Sequence, residues 1–403
     1  MNNAQLTLSP RPVLWRQAWG LTAVQVSITL AWVIYNVYLP DLLKQFGFAP
    51  EFAVILLLAE NGLAIVTEPL MGSLSDRVLH QIGTRYSFIA VGVLLASALF
   101  ISIPAIFIFG GSFRDLKWLL VAVIILWALA MTVFRSPAIS LLVKYSQPHD
   151  LPKTASLLIL ATGIVGAARP LANRFILSLG APATFAIGSG VLLAALTILR
   201  SVKPDVEVDA ITQESPLSKR SILLNFAIGF GISLGARLLL GEIFPRVLRA
   251  GIPDLSLDLL LGLAGISIGI FALPSGWLAA RFGNQKVLLI GLGISIACSF
   301  LLAFVNGSFL TGLVVSIAAI SFSAVSNSAI VLALSSVPPA KSGLGIGMYF
   351  SGGAAAIGSF AAIFSKPAEI SLVNLAVMAA VAFLIAMIGG ISNREFQALI
   401  DSE

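Results

Sequence analysis

Residues 69–92 read PLMGSLSDRVLHQIGTRYSFIAVG, and the order of apolar and charged residues in them decides how the whole chain is read. The stretch closes one long apolar run (52–74), passes a short charged segment and enters a second apolar run (86–110). A helix crossing hydrocarbon needs about 20 apolar residues, because its backbone polar groups find no water there and must be satisfied within the segment. Within the charged segment, Gly72 permits close helix approach and Asp76 can accept hydrogen bonds from a helix N-terminus. Arg77 and Arg85 place positive charge at one membrane face.

Outward from this stretch the same alternation repeats. Apolar runs occupy 17–39, 52–74, 86–110, 118–143, 154–178, 182–199, 221–248, 256–280, 286–305, 308–336, 342–365 and 370–391. The 403 residues are 58% hydrophobic and 10% charged, a balance that no aqueous core can bury. The expected fold is therefore an all-α polytopic membrane protein with 12 transmembrane helices. Counting Lys and Arg between the runs puts fourteen on the face that holds both termini and six on the other. That asymmetry predicts cytoplasmic N- and C-termini, in what is expected to be a bacterial plasma (inner) membrane. The first run is too long for a signal-peptide core and is expected to remain as helix 1. The formal charge of +6 is spread over these loops, which argues against a nucleic-acid partner. The single cysteine, Cys298, lies in an apolar run and reads as a packing residue.

One long internal segment is polar, RSVKPDVEVDAITQESPLSKR at 200–220, and its mixed charge suits a solvated linker. It divides the chain into an expected six-helix bundle at 1–199 and a second at 221–403. A weak repeat follows the same division. GSLSDRVLHQIG from Gly72 is echoed by GWLAARFGNQK from Gly276, and SPAISLLVKYSQP from Ser136 by NSAIVLALSSVPP from Asn327.

The 69–92 stretch resembles the signature between helices 2 and 3 of the major facilitator superfamily. More narrowly it is similar to the branch of sucrose-proton symporters (glycoside-pentoside-hexuronide-like) and their bacterial relatives, in which P-L-x-G-x-x-S-D-R, G-x-R and F-I-A-x-G recur. WVIYNVYLP (32–40) and FRSPAISLL (134–142) support the same branch. The resemblance implies two parallel six-helix halves with a substrate site between them near midplane. It also implies that Asp76 faces the start of helix 11 and helps latch the halves together, with Gly72, Arg77, Gly83 and Arg85 in the same gating or structural set. The plain alternative is a charged turn that only fixes topology. The chain departs from the branch at Val143 and Lys144, where relatives carry Pro-Asp, and at Ala280, where the second-half echo has no counterpart to Asp76.

Charges inside membrane spans are costly, usually face the bundle or a wet cavity, and count as functional candidates. At about 1.5 Å of rise per residue, Arg169 in helix 5 reaches a depth near that of Glu60 in helix 2. Arg135 in helix 4 matches Glu68 in the same way. Two pairs are expected, Glu60 with Arg169 and Glu68 with Arg135. The first reads either as a proton-coupling carboxylate beside a substrate-binding arginine or as a self-neutralising structural pair, and the second as gating or structural. In helix 7, Glu242 is expected to pair with Arg246, leaving the deeper Arg237 to reach a ligand. Trp32, Tyr35 and Asn36 offer a ring-stacking and hydrogen-bonding surface for a sugar-like solute, with Asn327 and Tyr349 contributing from the other half. Each of these has an ordinary packing role as its alternative.

No G-x-x-x-x-G-K-[ST] loop occurs, and the two histidines, His80 and His149, belong to no cluster with metal-ligand spacing. The expectation is of no enzyme, no metal and no cofactor. The reading is a secondary active transporter, monomeric among membrane lipids, that moves a small sugar-like organic molecule together with protons by alternating access. An exporter of amphipathic or drug-like compounds and a non-transporting factor that binds pigment or lipid are the alternatives.

Overall fold

The computed structural model describes residues 12–110, 117–204, 217–364 and 369–400, and all its regular structure is helical. The first half comprises α1 (Trp15–Gln45), α2 (Phe52–Ile82), α3 (Tyr86–Gly110), α4 (Lys117–Ile139), the one-turn α5 (Leu142–Tyr145), α6 (Leu151–Gly166), α7 (Ala168–Ser178) and α8 (Ala181–Ser201). The second half comprises α9 (Lys219–Leu238), a π-turn (Leu239–Ile243), α10 (Phe244–Gly251), α11 (Leu257–Phe282), α12 (Asn284–Phe304), α13 (Ser308–Ser335), α14 (Ser342–Ile363) and α15 (Leu372–Ile400). Among the described residues, 11 of these helices are long and apolar enough to cross a membrane, and 12 spans result when α6 and α7 count as one broken span.

Within the first half α1 packs on α6 and α8, α3 on α4 and α8, and α2 on α4. The second half repeats this around α9, which lies against α14 and α15, while α12 meets α13 and α15. Two seams join the halves, α2 against α14 and α6 against α11. Side chains such as Val66, Leu94, Leu126, Ile290 and Val381 remain exposed on the helices, as lipid contact requires. The linker reading rests largely on 205–216, which lie outside the described residues, as do Arg11, Arg114, Lys366 and the Arg394 side chain.

Three elements differ from the sequence reading. The run that was expected to end at 74 continues as helix to Ile82, so the signature is mostly helical and the loop shrinks to three residues. Gly83 ends this helix with φ 77, a left-handed conformation that glycine adopts without steric cost, and its N–H bonds back to the Leu79 carbonyl at 2.9 Å. Helix 5 is broken rather than continuous, with α6 and α7 bent by 50°. Pro170 lacks the N–H that would bond the Gly166 carbonyl, and its ring crowds that carbonyl. Helix 7 likewise contains the π-turn, where the Phe244 N–H bonds the Leu239 carbonyl five residues back. Pro245 follows directly and cannot supply an α-helical bond to Gly241.

Candidate functional site

At the end of the bundle nearest the termini, α2 and α14 meet through backbone. A Cβ placed on Gly72 would lie 2.1 Å from the Gly343 carbonyl oxygen, so only glycine allows this approach. The contact positions Asp76 under the N-terminus of α14. Its carboxylate accepts the Gly343 N–H at 3.0 Å on Oδ1 and the Leu344 N–H at 2.9 Å on Oδ2, two of the donors that a helix start leaves unpaired. Arg85, 1% exposed, ion-pairs with Asp76 and donates to Ser342 Oγ at 3.2 Å. Burial lowers the Arg85 pKa, and the Asp76 charge opposes that shift. Arg77 points away and is exposed. On the other seam a Cβ at Gly276 would lie 2.6 Å from the Pro152 carbonyl oxygen, and Asn327 Nδ2 donates to that oxygen at 3.2 Å. Asn327 is thus a buried tie between halves, not the cavity residue expected of it.

One level further in, fully buried Glu68 ion-pairs with Arg135 and accepts from Ser136 Oγ at 2.6 Å. The Arg135 guanidinium lies 4.2 Å from the ring centre of Phe350 on α14, so a first-half cation stacks on a second-half ring. Ser351 Oγ donates across the same seam to the Ile65 carbonyl at 2.6 Å. These contacts form a floor. Above it lies a cavity of about 1440 Å³ that reaches Leu39 on α1 and Asp258 at the start of α11, toward the end opposite Asp76.

Trp32, Tyr35, Asn36, Glu60, Asn61, Arg135, Arg169, Asn173, Arg237, Asp258, Phe322 and Phe350 line this cavity. Glu60 is bonded by the Tyr35 hydroxyl. Tyr35 in turn packs on Trp127 with ring centres 4.8 Å apart, and Trp32 packs on Trp127 at 4.9 Å. Asn36 donates to the Trp32 carbonyl at 2.7 Å, leaving its amide oxygen available. The expected Glu60–Arg169 pair is not formed: Arg169 shares the cavity, but no described carboxylate lies within 4.0 Å of it. The bend at Ala167 redirects α7, which defeats a depth count made on a straight helix. Tyr349 is buried and is not among the residues that line the cavity; its backbone carbonyl packs on Gly229, where α14 lies close against α9.

Arg237 also differs from expectation. The π-turn brings residues five apart onto one face, so Arg237 pairs with Glu242 at 2.9 Å while Arg246 holds the other carboxylate oxygen at 3.2 Å. Arg237 further stacks on Phe360 of α14 at 4.5 Å. An i,i+4 search finds only Arg246. Pro245 was the missed signal for the altered turn. Among the described residues no group of three His, Cys, Asp or Glu could hold a metal.

Comparison with known proteins bears on this arrangement. No curated protein sequence matches the chain. Among solved structures, the human organic anion transporter MFSD10 (TETRAN) superposes with a TM-score of 0.71 at 13% identity, over 93% of this chain and 100% of that one. A bacterial homologue of the iron transporter ferroportin in an outward-facing state gives 0.71 at 17% identity, over 94% and 99%. The E. coli fucose:proton symporter gives 0.69 at 14% identity, over 95% and 99%. At such identities these likenesses establish the fold. The family model of the Major Facilitator Superfamily matches residues 21–362. A cavity between two six-helix halves, floored by charge pairs at one end, is thus carried by a sequence matching that family over most of its length, and the chain belongs to the Major Facilitator Superfamily, as a transporter and not an enzyme.

Proposed function

We propose that this protein is a secondary active transporter that moves a small, ring-bearing organic solute, of which a sugar-like molecule is one form, by alternating access coupled to protons. The observation that carries this reading is the central cavity: it is floored at the Asp76 end by the Glu68–Arg135 pair and reaches the other helix ends. The halves 1–199 and 221–403 would rock about the α2–α14 and α6–α11 seams, with Asp76 fastening the state described here. Glu60 is the proposed proton site, since it is the membrane-depth carboxyl that faces the cavity without a cation partner among the described residues. Trp32, Tyr35 and Asn36 present an aromatic and polar wall to the solute. The narrower likeness to sucrose-proton symporters and the fold shared with a fucose:proton symporter support a sugar-like ring. The excess of Lys and Arg at the termini end supports cytoplasmic termini in a plasma (inner) membrane, where the protein is proposed to act as a monomer.

Purified protein in liposomes, supplied with labelled sugars and organic acids under an imposed pH gradient, tests the reading. Accumulation that collapses with a protonophore is expected. Outward extrusion of amphipathic compounds, with no gradient-driven sugar or acid uptake, would establish the exporter alternative, which the large partly apolar cavity accommodates. Binding of pigment or lipid with no flux of any solute would establish the non-transporting one, against which the occupied Asp76 latch speaks.

A further inference from the structure

Among the described residues three arginines face the central cavity, and two of them are already satisfied. Arg135 is neutralised by Glu68 and stacked on Phe350, and Arg237 is neutralised by Glu242 and stacked on Phe360. Arg169 has neither kind of partner among the described residues, and it is exposed into the cavity. A cation kept at membrane depth is costly to retain, and one that faces a central cavity marks a substrate or ion path. Its planar fork matches a carboxylate through two parallel hydrogen bonds, a geometry that neither a lysine nor a neutral amide reproduces. Asn173, one turn along α7 and also lining the cavity, adds an amide on the same face. Trp32, Tyr35 and Phe350 supply ring surfaces to the same cavity.

We infer that the cargo is a ring-bearing organic monocarboxylate whose carboxylate is held by Arg169, and that one proton travels with it on Glu60, so that transport is electroneutral. This rests on the transporter reading above and narrows its substrate. The groups that bear on Glu60 are Tyr35 on α1, which bonds it, and Arg135 on α4, Arg169 on α7, Arg237 beside the π-turn and Asp258 on α11, which line the same cavity. With Arg135 and Arg237 neutralised locally and Asp258 at the mouth, an ionised Glu60 would compete with the cargo for the Arg169 charge. Protonation of Glu60 removes the competitor, and release of the anion restores it.

Binding and transport are tested separately. In thermal unfolding of the purified protein, glucuronate or benzoate is expected to raise the midpoint more than glucose or benzamide at equal concentration and ionic strength. Arg169→Gln is expected to weaken the preferred acid about 10- to 100-fold, the effect of losing charge-assisted hydrogen bonds, with no change in the ligand-free midpoint. Equal stabilisation by acid and neutral analogue, or an acid preference that survives Arg169→Gln, overturns the proposal. Should Arg169→Gln fail to fold, Arg169→Lys serves, and undiminished acid affinity in it counts equally against the assignment. In liposomes, uptake of the preferred acid is expected to follow an inside-alkaline gradient and to ignore a potassium-valinomycin potential. Dependence on that potential overturns the electroneutral step. An acid preference without any flux sinks the transporter reading alone.

Discussion

Glu60 and Glu68 lie eight residues apart on one face of α2, yet their surroundings give them different work. Glu68 is fully buried with an arginine and a serine on its two oxygens, so removing Arg135 strands a charge inside the bundle. Arg135→Ala is expected to cost about 3–5 kcal/mol of stability, with the double variant Glu68→Gln/Arg135→Ala recovering most of it, as read from reversible unfolding in detergent. Two equally unstable variants would show that the pair is not what holds α2 to α4. Glu60 has a hydroxyl in place of a cation. A double-mutant cycle of Tyr35→Phe and Glu60→Gln is therefore expected to show coupling of about 0.5–3 kcal/mol, with near-additive stability effects for Glu60 and Arg169. Glu60→Gln is also expected to abolish proton-driven accumulation while solute exchange continues, and unaltered pH-dependent accumulation would remove Glu60 from the coupling step. The Glu68 pair is legible in the sequence because both residues sit on unbroken helices whose rise fixes their depth. The Tyr35 partnership is not, since a search among charges passes over a neutral hydroxyl.

At the scale of elements, prolines and glycines decide what periodicity alone leaves open. Apolar run length locates the spans, but Pro170 and Pro245 each delete one backbone bond and thereby bend helix 5 and wind a π-turn into helix 7. Both changes redirect an arginine, which is why Arg169 lacks, among the described residues, the carboxylate that helical spacing suggests, while Arg237 gains Glu242. Glycine counts likewise mark close packing without saying which seam they serve. Gly229 faces Tyr349 within the second half, where an added Cβ would come within 1.9 Å of the carbonyl oxygen, whereas Gly72 faces Gly343 across the two halves. Gly229→Ala is expected to destabilise the folded protein by about 1–3 kcal/mol, the usual effect of overpacking. Gly72→Ala has an escape, because the seam can part. It is expected to leave the unfolding midpoint nearly unchanged and to lower labelling of Thr162→Cys, in a Cys298→Ser background, by an impermeant reagent applied from the end opposite Asp76. Equal thermal losses in the two alanine variants would mean that the α2–α14 seam is a fixed interface.

For the whole molecule, the twelve-span plan follows from composition and run length, because a bilayer leaves helices few alternatives. Which state the bundle occupies does not follow, since that depends on two long seams whose contacts join residues far apart in the chain, 106 positions for Gly163 and Gly269 and 271 for Gly72 and Gly343. The sequence offers one pointer, the resemblance that sets Asp76 at the start of helix 11, and the structure puts that carboxylate on the Gly343 and Leu344 N–H groups with Arg85 behind it. Asp76→Asn keeps the shape but loses the charge, one acceptor for the α14 N-terminus and the neutralisation of buried Arg85. Loss of charge-assisted bonds of this kind costs about 1.5–3 kcal/mol. The part of that loss that belongs to the Gly343 and Leu344 N–H bonds falls on the latched state alone, because a parted seam breaks those bonds in both proteins, so the balance between states should move roughly 10- to 100-fold away from the one described here. Solute affinity measured on the purified protein is expected to change by no more than that redistribution, while the transport rate in liposomes falls further, since each cycle must re-form the latch. Restoring the charge as Asp76→Glu is expected to recover part of the rate, limited by the extra methylene under α14. Normal rate and normal affinity in Asp76→Asn would show that the seam is held by the glycine contacts, and that the carboxylate serves only to neutralise Arg85.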